Sequence, residues 1–167
     1  DGFQTAVDPT NRYMIFSESQ DGNTQRTDLR TGVGKSIRPS APPAGRGAGA
    51  AAPAPGACVD GRIIAAPVAG AGGAGGGFGG RGGGAPNVIN ASAGDTYRFN
   101  WNTPFVLSPH DPNVIWLGGN RLFRSSNQGD LWVASADLTK QVDRCKIAVM
   151  GAPGTSLQLS KNDGMTS

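Results

Sequence analysis

The sequence predicts an all-β chain of two four-stranded units held apart by a long insertion that builds no core. Three observations predict it. Short apolar runs alternate with a period of two, tight-turn signals separate them, and the same order of turn, strand, hairpin and strand recurs on either side of a Gly/Ala/Pro tract. No confident helix is legible anywhere.

The first unit spans residues 1–38. Asp8-Pro9-Thr10-Asn11 is a turn cluster. Tyr13 to Glu18 is an apolar, β-prone run, long enough for a strand and too short for a helix. Gln20-Asp21-Gly22-Asn23 signals a hairpin, because Asp-Gly tolerates the positive φ of primed turns. Thr24 to Asp28 pairs back, Arg30-Thr31-Gly32 turns the chain, and Lys35 to Arg38 forms a further strand.

Residues 39–92 carry 16 of the 27 glycines and 7 of the 12 prolines, leaving about 113 residues of ordinary globular composition. Ala-Pro alternation at 52–55 favours extended, solvated backbone. Glycine runs from Gly72 to Gly84 cost too much entropy to order without side chains to bury. The stretch is expected to be a low-complexity, disordered insertion, with one apolar island, Val59 to Val68, that could dock locally.

The second unit, residues 93–135, returns to strand character. Thr96 to Asn102 alternates strictly, with Tyr97, Phe99 and Trp101 on one face and Arg98, Asn100 and Asn102 on the other. Phe105-Val106-Leu107 continues it, and Pro104 implies a bulge or an edge position. Ser108 to Pro112 is a turn and Val114 to Leu117 a buried strand. Gly118-Gly119-Asn120 is a tight hairpin, followed by strands at 121–125 and 132–135. Residues 136–167 read as an irregular connection, with one helical turn over 137–141 capped by Asp137.

The two units lie about 103 residues apart. Without the 54-residue insertion the period is about 49, near the roughly 40–50 residues of a four-stranded propeller blade. Ser125-Ser126-Asn127-Gln128-Gly129-Asp130-Leu131-Trp132 resembles the Asp-box, Ser-x-Asp-x-Gly-x-Thr-Trp, departing from it at Asn127 and Leu131. Ser125, Asn127, Gly129 and Trp132 are its structural positions: an Asx oxygen that bonds backbone inside the turn, a glycine in a conformation other residues avoid, and a tryptophan anchoring the hairpin. Ser160 to Ser167 looks like another copy without the aromatic and reads as a linker turn. Together with Glu18 to Asn23, Asp28 to Gly32, Tyr97 to Pro104, Leu117 to Phe123 and Ala136 to Thr139, these residues resemble bacterial sortilin-type BNR-repeat β-propeller proteins, often labelled glycosyl hydrolase-like. The resemblance implies about two blades of a larger exported propeller, completed by the remaining blades of the same protein. It carries no catalytic residue onto this chain.

Propeller geometry assigns the candidate site. Loops between second and third strands, and connections into first strands, share one face, so Gln20, Asp21, Arg98, Asn100, Asn102 and Asn120 are the candidate ligand-facing residues. The leading function is binding or scaffolding of a peptide or glycan there. The rival is a glycoside hydrolase whose carboxylates lie partly in other blades, since hydrolysis needs two facing carboxyls.

Several classes are disfavoured. The net charge of +3 is spread out, without the clustering a nucleic-acid face needs. Gly45-Arg46-Gly47 and Gly79 to Gly83 resemble RNA-binding RGG segments, but only Phe78 offers stacking. His110 is the single histidine, and no Cys/His spacing suggests a metal; no cofactor is expected. Cys58 and Cys145 fix neither a disulfide nor a compartment. Asn90-Ala91-Ser92 fits a glycosylation sequon, relevant only in a eukaryotic secretory route. No run reaches a membrane span. The chain opens on Asp1-Gly2 and not on Met, so the native start is expected upstream; the resemblance implies an export signal there and an extracellular or periplasmic location. Two units alone leave sheet edges unpaired, so marginal stability or aggregation is expected.

Overall fold

The computed structural model describes residues 2–43 and 85–140, with the backbone of four two-residue strands beyond them. The fold is all-β, with two four-stranded antiparallel sheets. Its helical content among the described residues is one 3-10 turn at Gln20–Gly22.

The first sheet is a meander, β1 (Gly2–Asp8), β2 (Asn11–Ser19), β3 (Asn23–Asp28) and β4 (Val33–Ser36), in the order β1-β2-β3-β4. Its turns follow from side chains that imitate backbone. Asp8 Oδ1 accepts from the Thr10 and Asn11 amides at 2.8 and 3.2 Å and from the Thr10 hydroxyl, closing the β1–β2 turn. Asp21 and Gly22 both sit at φ 67°, so the β2–β3 hairpin needs a pair for which left-handed backbone is inexpensive.

Two short pairs follow in the chain, β5 (Cys58–Val59) with β6 (Arg62–Ile63), and near the end β11 (Ala148–Val149) with β12 (Ala152–Pro153). The second large sheet contains β7 (Phe105–Leu107), β8 (Ile115–Gly118), β9 (Leu122–Ser125) and β10 (Val133–Ala134), again consecutive neighbours. Pro104 directly precedes β7, which is an edge strand; a residue without an N–H is tolerated there.

The two sheets pack face to face. β1 lies beside β7, and Phe16 meets Phe105 with ring centroids 6.2 Å apart. Phe16, Ile37, Phe99, Ile115, Leu117, Phe123 and Trp132 form the buried core. The hairpin between β9 and β10 clamps the outer end. Ser125 Oγ accepts from the Asn127 and Gly129 amides, and Asn127 Oδ1 accepts from the Leu131 amide at 2.9 Å. Gly129 adopts φ 88°, and a Cβ there would lie 2.7 Å from Ile37. The fully buried Trp132 donates its indole N–H to the Ile37 carbonyl at 2.8 Å. Arg26 donates to the Gln128 carbonyl and to Asp130, which also takes Lys35.

Three sequence expectations are revised. Residues 96–102 are not a strand: Phe99 is buried, but Trp101 is exposed, because the segment crosses the ends of both sheets instead of pairing with one. Asp137 caps no helical turn; its Oδ1 accepts from the Thr139 amide and hydroxyl in a local turn. The rims of the 39–92 stretch are built into the fold. Asn87 bonds the Ser40 amide and the Arg38 carbonyl, and Val88 is buried and bridges Trp132. The Asn90 amide brackets the Ala134 N–H and C=O at 2.9 and 2.8 Å, so this segment covers an edge that would otherwise be open. The apolar island beyond its two short strands, the glycine runs, any Cys58–Cys145 pairing and the 160–167 turn lie outside the described residues.

Candidate functional site

The end of the molecule where β2–β3, β8–β9 and the approach to β7 meet is organised around Phe99. Its ring fills the space over two glycines: a Cβ on Gly22 would lie 2.5 Å from Phe99 Cγ, and one on Gly119 would lie 2.6 Å from the Arg98 carbonyl and 3.0 Å from Phe99 Cδ1. The Arg38 guanidinium covers the same ring at 4.9 Å and donates to the Asp21 carbonyl. Burial pulls the Arg38 pKa down, against the attraction of Asp21.

The sequence-predicted residues divide. Asp21 and Gln20 sit on the β2–β3 turn; Asp21 is largely buried, and the Gln20 carbonyl accepts from Asn23. Asn120 is 1% exposed. It accepts from the Arg98 amide at 2.8 Å and donates to the Thr96 carbonyl and to Asp137. It acts as a strut between loops. Arg98 lies half-buried, its guanidinium 3.9 Å from Asp137. Burial pushes the Asp137 carboxyl up, but hydrogen bonds from Thr139 and Asn120 and the Arg98 charge outweigh it and hold the pKa at about 2. Asn100 turns inward on its own segment, its Oδ1 accepting from the Trp101 amide and its carbonyl from Thr103. Asn102 is exposed. Phe99 thus brings Asp21, Arg98 and Asn120 together, while Asn102 stands at the surface.

Sequence reasoning missed Glu18 and Trp101. Glu18 is 1% exposed, under the Thr103 amide, which donates to it at 3.4 Å. Burial raises its pKa and the Asp21 charge adds to the rise; hydrogen bonds donated by the Thr103 and Gly22 amides only partly offset it. The signal was available: Glu18 shares strand parity with the buried Phe16. Trp101 stacks edge-on against Phe3, centroids 6.1 Å apart, and both remain over a third exposed.

The Glu18 shift has a definite pH consequence. A folded pKa above the unfolded value contributes stability below the unfolded pKa that is lost as pH rises through the folded one. Glu18→Gln is therefore expected to melt no lower than the parent at neutral pH and to flatten the melting profile as pH rises from the ordinary glutamate range toward neutral. A parent profile that rises across that window, or a glutamine variant that loses several degrees at neutral pH, would count against a strained buried carboxyl.

A second concavity of about 270 Å³ lies between β4 and the returning segment, lined by Lys35, Arg38, Ser40, Asn87, Asp130 and Leu131 among others. Among the described residues no cluster of three or more His, Cys, Asp or Glu could hold a metal. None of their helices is long and apolar enough to cross a membrane. Comparison with known proteins finds no matching family model, curated protein or solved structure.

Proposed function

We propose that this chain is two blades of an exported Asp-box β-propeller of the sortilin-type BNR kind, and that it binds a peptide or glycan where the β2–β3 and β8–β9 loops meet the starts of β1 and β7. One observation carries the reading: the sheets stack with first strand beside first strand and outer hairpin against outer strand, the arrangement that repeated blades need around an axis. The hairpin at 125–132, held by Ser125, Asn127, Gly129 and Trp132, is then structural and lies at the opposite end. The binding end offers an exposed aromatic pair, Phe3 and Trp101, beside the free amide side chain of Asn102, a combination suited to stacking on a ring and orienting it by hydrogen bonds.

A hydrolase finds its best support in Glu18, whose raised pKa and proximity to Asp21 suit a general acid. Its burial under Thr103 keeps it from a glycosidic oxygen, so binding is the stronger reading. Peptide and glycan arrays probed with the whole chain test it. Capture of one ligand class is expected, with Trp101→Ala weakening it at least about tenfold, ~1.4 kcal/mol, and Asn102→Ala weakening it less. Silent arrays, or a hit indifferent to both substitutions, would reject the reading.

A further inference from the structure

Glu18 is a carboxylic acid sealed between the two sheets. It stands on β2, level with Gln4 of β1 and Thr24 of β3, and strand parity turns it with Phe16 toward the second sheet. Its Oε1 accepts from the Thr103 amide over a long 3.4 Å, while Oε2 is shut from solvent without a hydrogen-bond partner. An ionised carboxylate in such a place gives up hydration that the protein does not replace.

The walls around Glu18 differ in how firmly they are held. Gln4 and Thr24 belong to strands paired along their length. The remaining wall, residues 100–104, is not a strand, and Trp101 and Asn102 at its crest are exposed. Among the described residues, two hydrogen bonds tie 100–105 to the first sheet: the Thr103 amide to Glu18, and the Phe105 amide to Gln4 Oε1 at 3.2 Å. The ends of the segment are fastened to the second sheet instead. The Gly118 amide donates to the Pro104 carbonyl, and Asn120 bonds both backbone groups of Arg98. The charge facing Glu18 has the wrong sign to help it. Asp21 on the β2–β3 turn is a second carboxylate, and β1, β3 and the segment present the uncharged Gln4, Thr24 and Thr103. The guanidinium groups at this end are engaged elsewhere, Arg38 with the Asp21 carbonyl and the Phe99 ring, and Arg98 with Asp137.

We propose that Glu18 is a proton-controlled latch for residues 100–104. While the acid keeps its proton, the segment lies closed on the first sheet. Loss of the proton lifts Thr103 away and admits water to the carboxylate, with the bonds at Arg98 and Pro104 acting as hinges. The amide bond to Oε1 strengthens on ionisation and resists opening, but it serves only one of the two oxygens. A segment outside the ladders opens at a smaller cost than the strands beside it. The closed form carries the raised pKa, so it is favoured at low pH and lost as pH rises through that pKa. The segment bears Trp101 and Asn102. Resting on the ligand reading above, the binding end is therefore assembled in its closed form only while Glu18 is protonated. The latch itself needs no ligand, so silent arrays leave it standing.

Amide hydrogen exchange, followed by NMR on the whole chain and corrected for its intrinsic pH dependence, tests the latch. As pH rises from the ordinary glutamate range toward neutral, protection at Thr103 is expected to fall at least about tenfold relative to the β8 and β9 amides. The fall should track the titration of the Glu18 side-chain carboxyl carbon. Asp137, with its pKa at about 2, and Asp8 and Asp130, held below the usual carboxylate range, stay ionised throughout. Glu18→Gln is expected to keep Thr103 protected across the whole range. Asp21→Asn keeps a side chain that tolerates positive φ and removes the facing charge, so it is expected to move the fall to lower pH; this arm holds the test open if Glu18→Gln does not fold. Thr103 protection indifferent to pH, a fall shared equally by the β8 and β9 amides, a Glu18→Gln profile like the parent's, or an unmoved midpoint in Asp21→Asn would overturn the proposal.

Discussion

Trp132→Ala is expected to lower the unfolding free energy by about 3–5 kcal/mol, enough to unfold much of a small domain whose whole stability is of order 5–15 kcal/mol. Two losses combine. The indole is fully buried between the 125–132 hairpin and the end of the first sheet, so truncation opens a cavity that the surrounding strands cannot collapse into. The same change removes the donor to the Ile37 carbonyl, and an unmet buried acceptor costs about 1–3 kcal/mol. Trp132→Phe separates the terms: it keeps much of the volume and is expected to cost about 1–3 kcal/mol, set mainly by the lost bond. Equilibrium urea unfolding measures both. A Trp132→Ala loss under about 1 kcal/mol would mean that the hairpin does not clamp the two sheets.

The strands were legible where side-chain chemistry is local. Period-two runs gave β2, β8 and β9 to within a residue or two, and Asp-Gly marked a hairpin where two successive residues take positive φ. The ladder places Phe16 level with Trp116 and Arg26 level with Arg124, separations of 100 and 98 residues. The sequence repeat, anchored on the Asp-Pro turns, gave about 103, because Asp111 stands five residues before Trp116 whereas Asp8 stands eight before Phe16. Residues 96–102 failed for a physical reason. Their alternation is real, but Phe99 is drawn into the gap over Gly22 and Gly119, and that tertiary packing overrides a strand propensity with no partner strand to satisfy it. The same packing redistributes exposure around the candidate site. Trp101 looked like core by parity and lies at the surface, whereas Asn120 looked like a surface amide and is an internal strut. Asn87 and Asn90 were hidden by the composition around them; their role as edge covers depends on strands far away in sequence.

Phe99 is also the setting of the second large effect. Gly22→Ala is expected to destabilise the fold by about 3 kcal/mol, from two sources that a double-mutant cycle can divide. The backbone at φ 67° costs a residue with a Cβ roughly 1–2 kcal/mol. The remainder is steric, since the new methyl would sit 2.5 Å from Phe99 Cγ. The ring has little room to retreat, because it lies so close to Gly119 that a Cβ there would meet it at 3.0–3.2 Å, and Arg38 lies over its face. In a Phe99→Leu background the steric part should relax, leaving the backbone part alone, so the two substitutions should couple by about 1–2 kcal/mol. The ring joins the loop of one sheet to the loop of the other, so the coupling reports directly on their shared packing. Strict additivity in thermal or urea melts would show that the β2–β3 turn and Phe99 do not bear on each other, and the end of the molecule assigned to ligand binding would lose the rigidity on which that assignment depends.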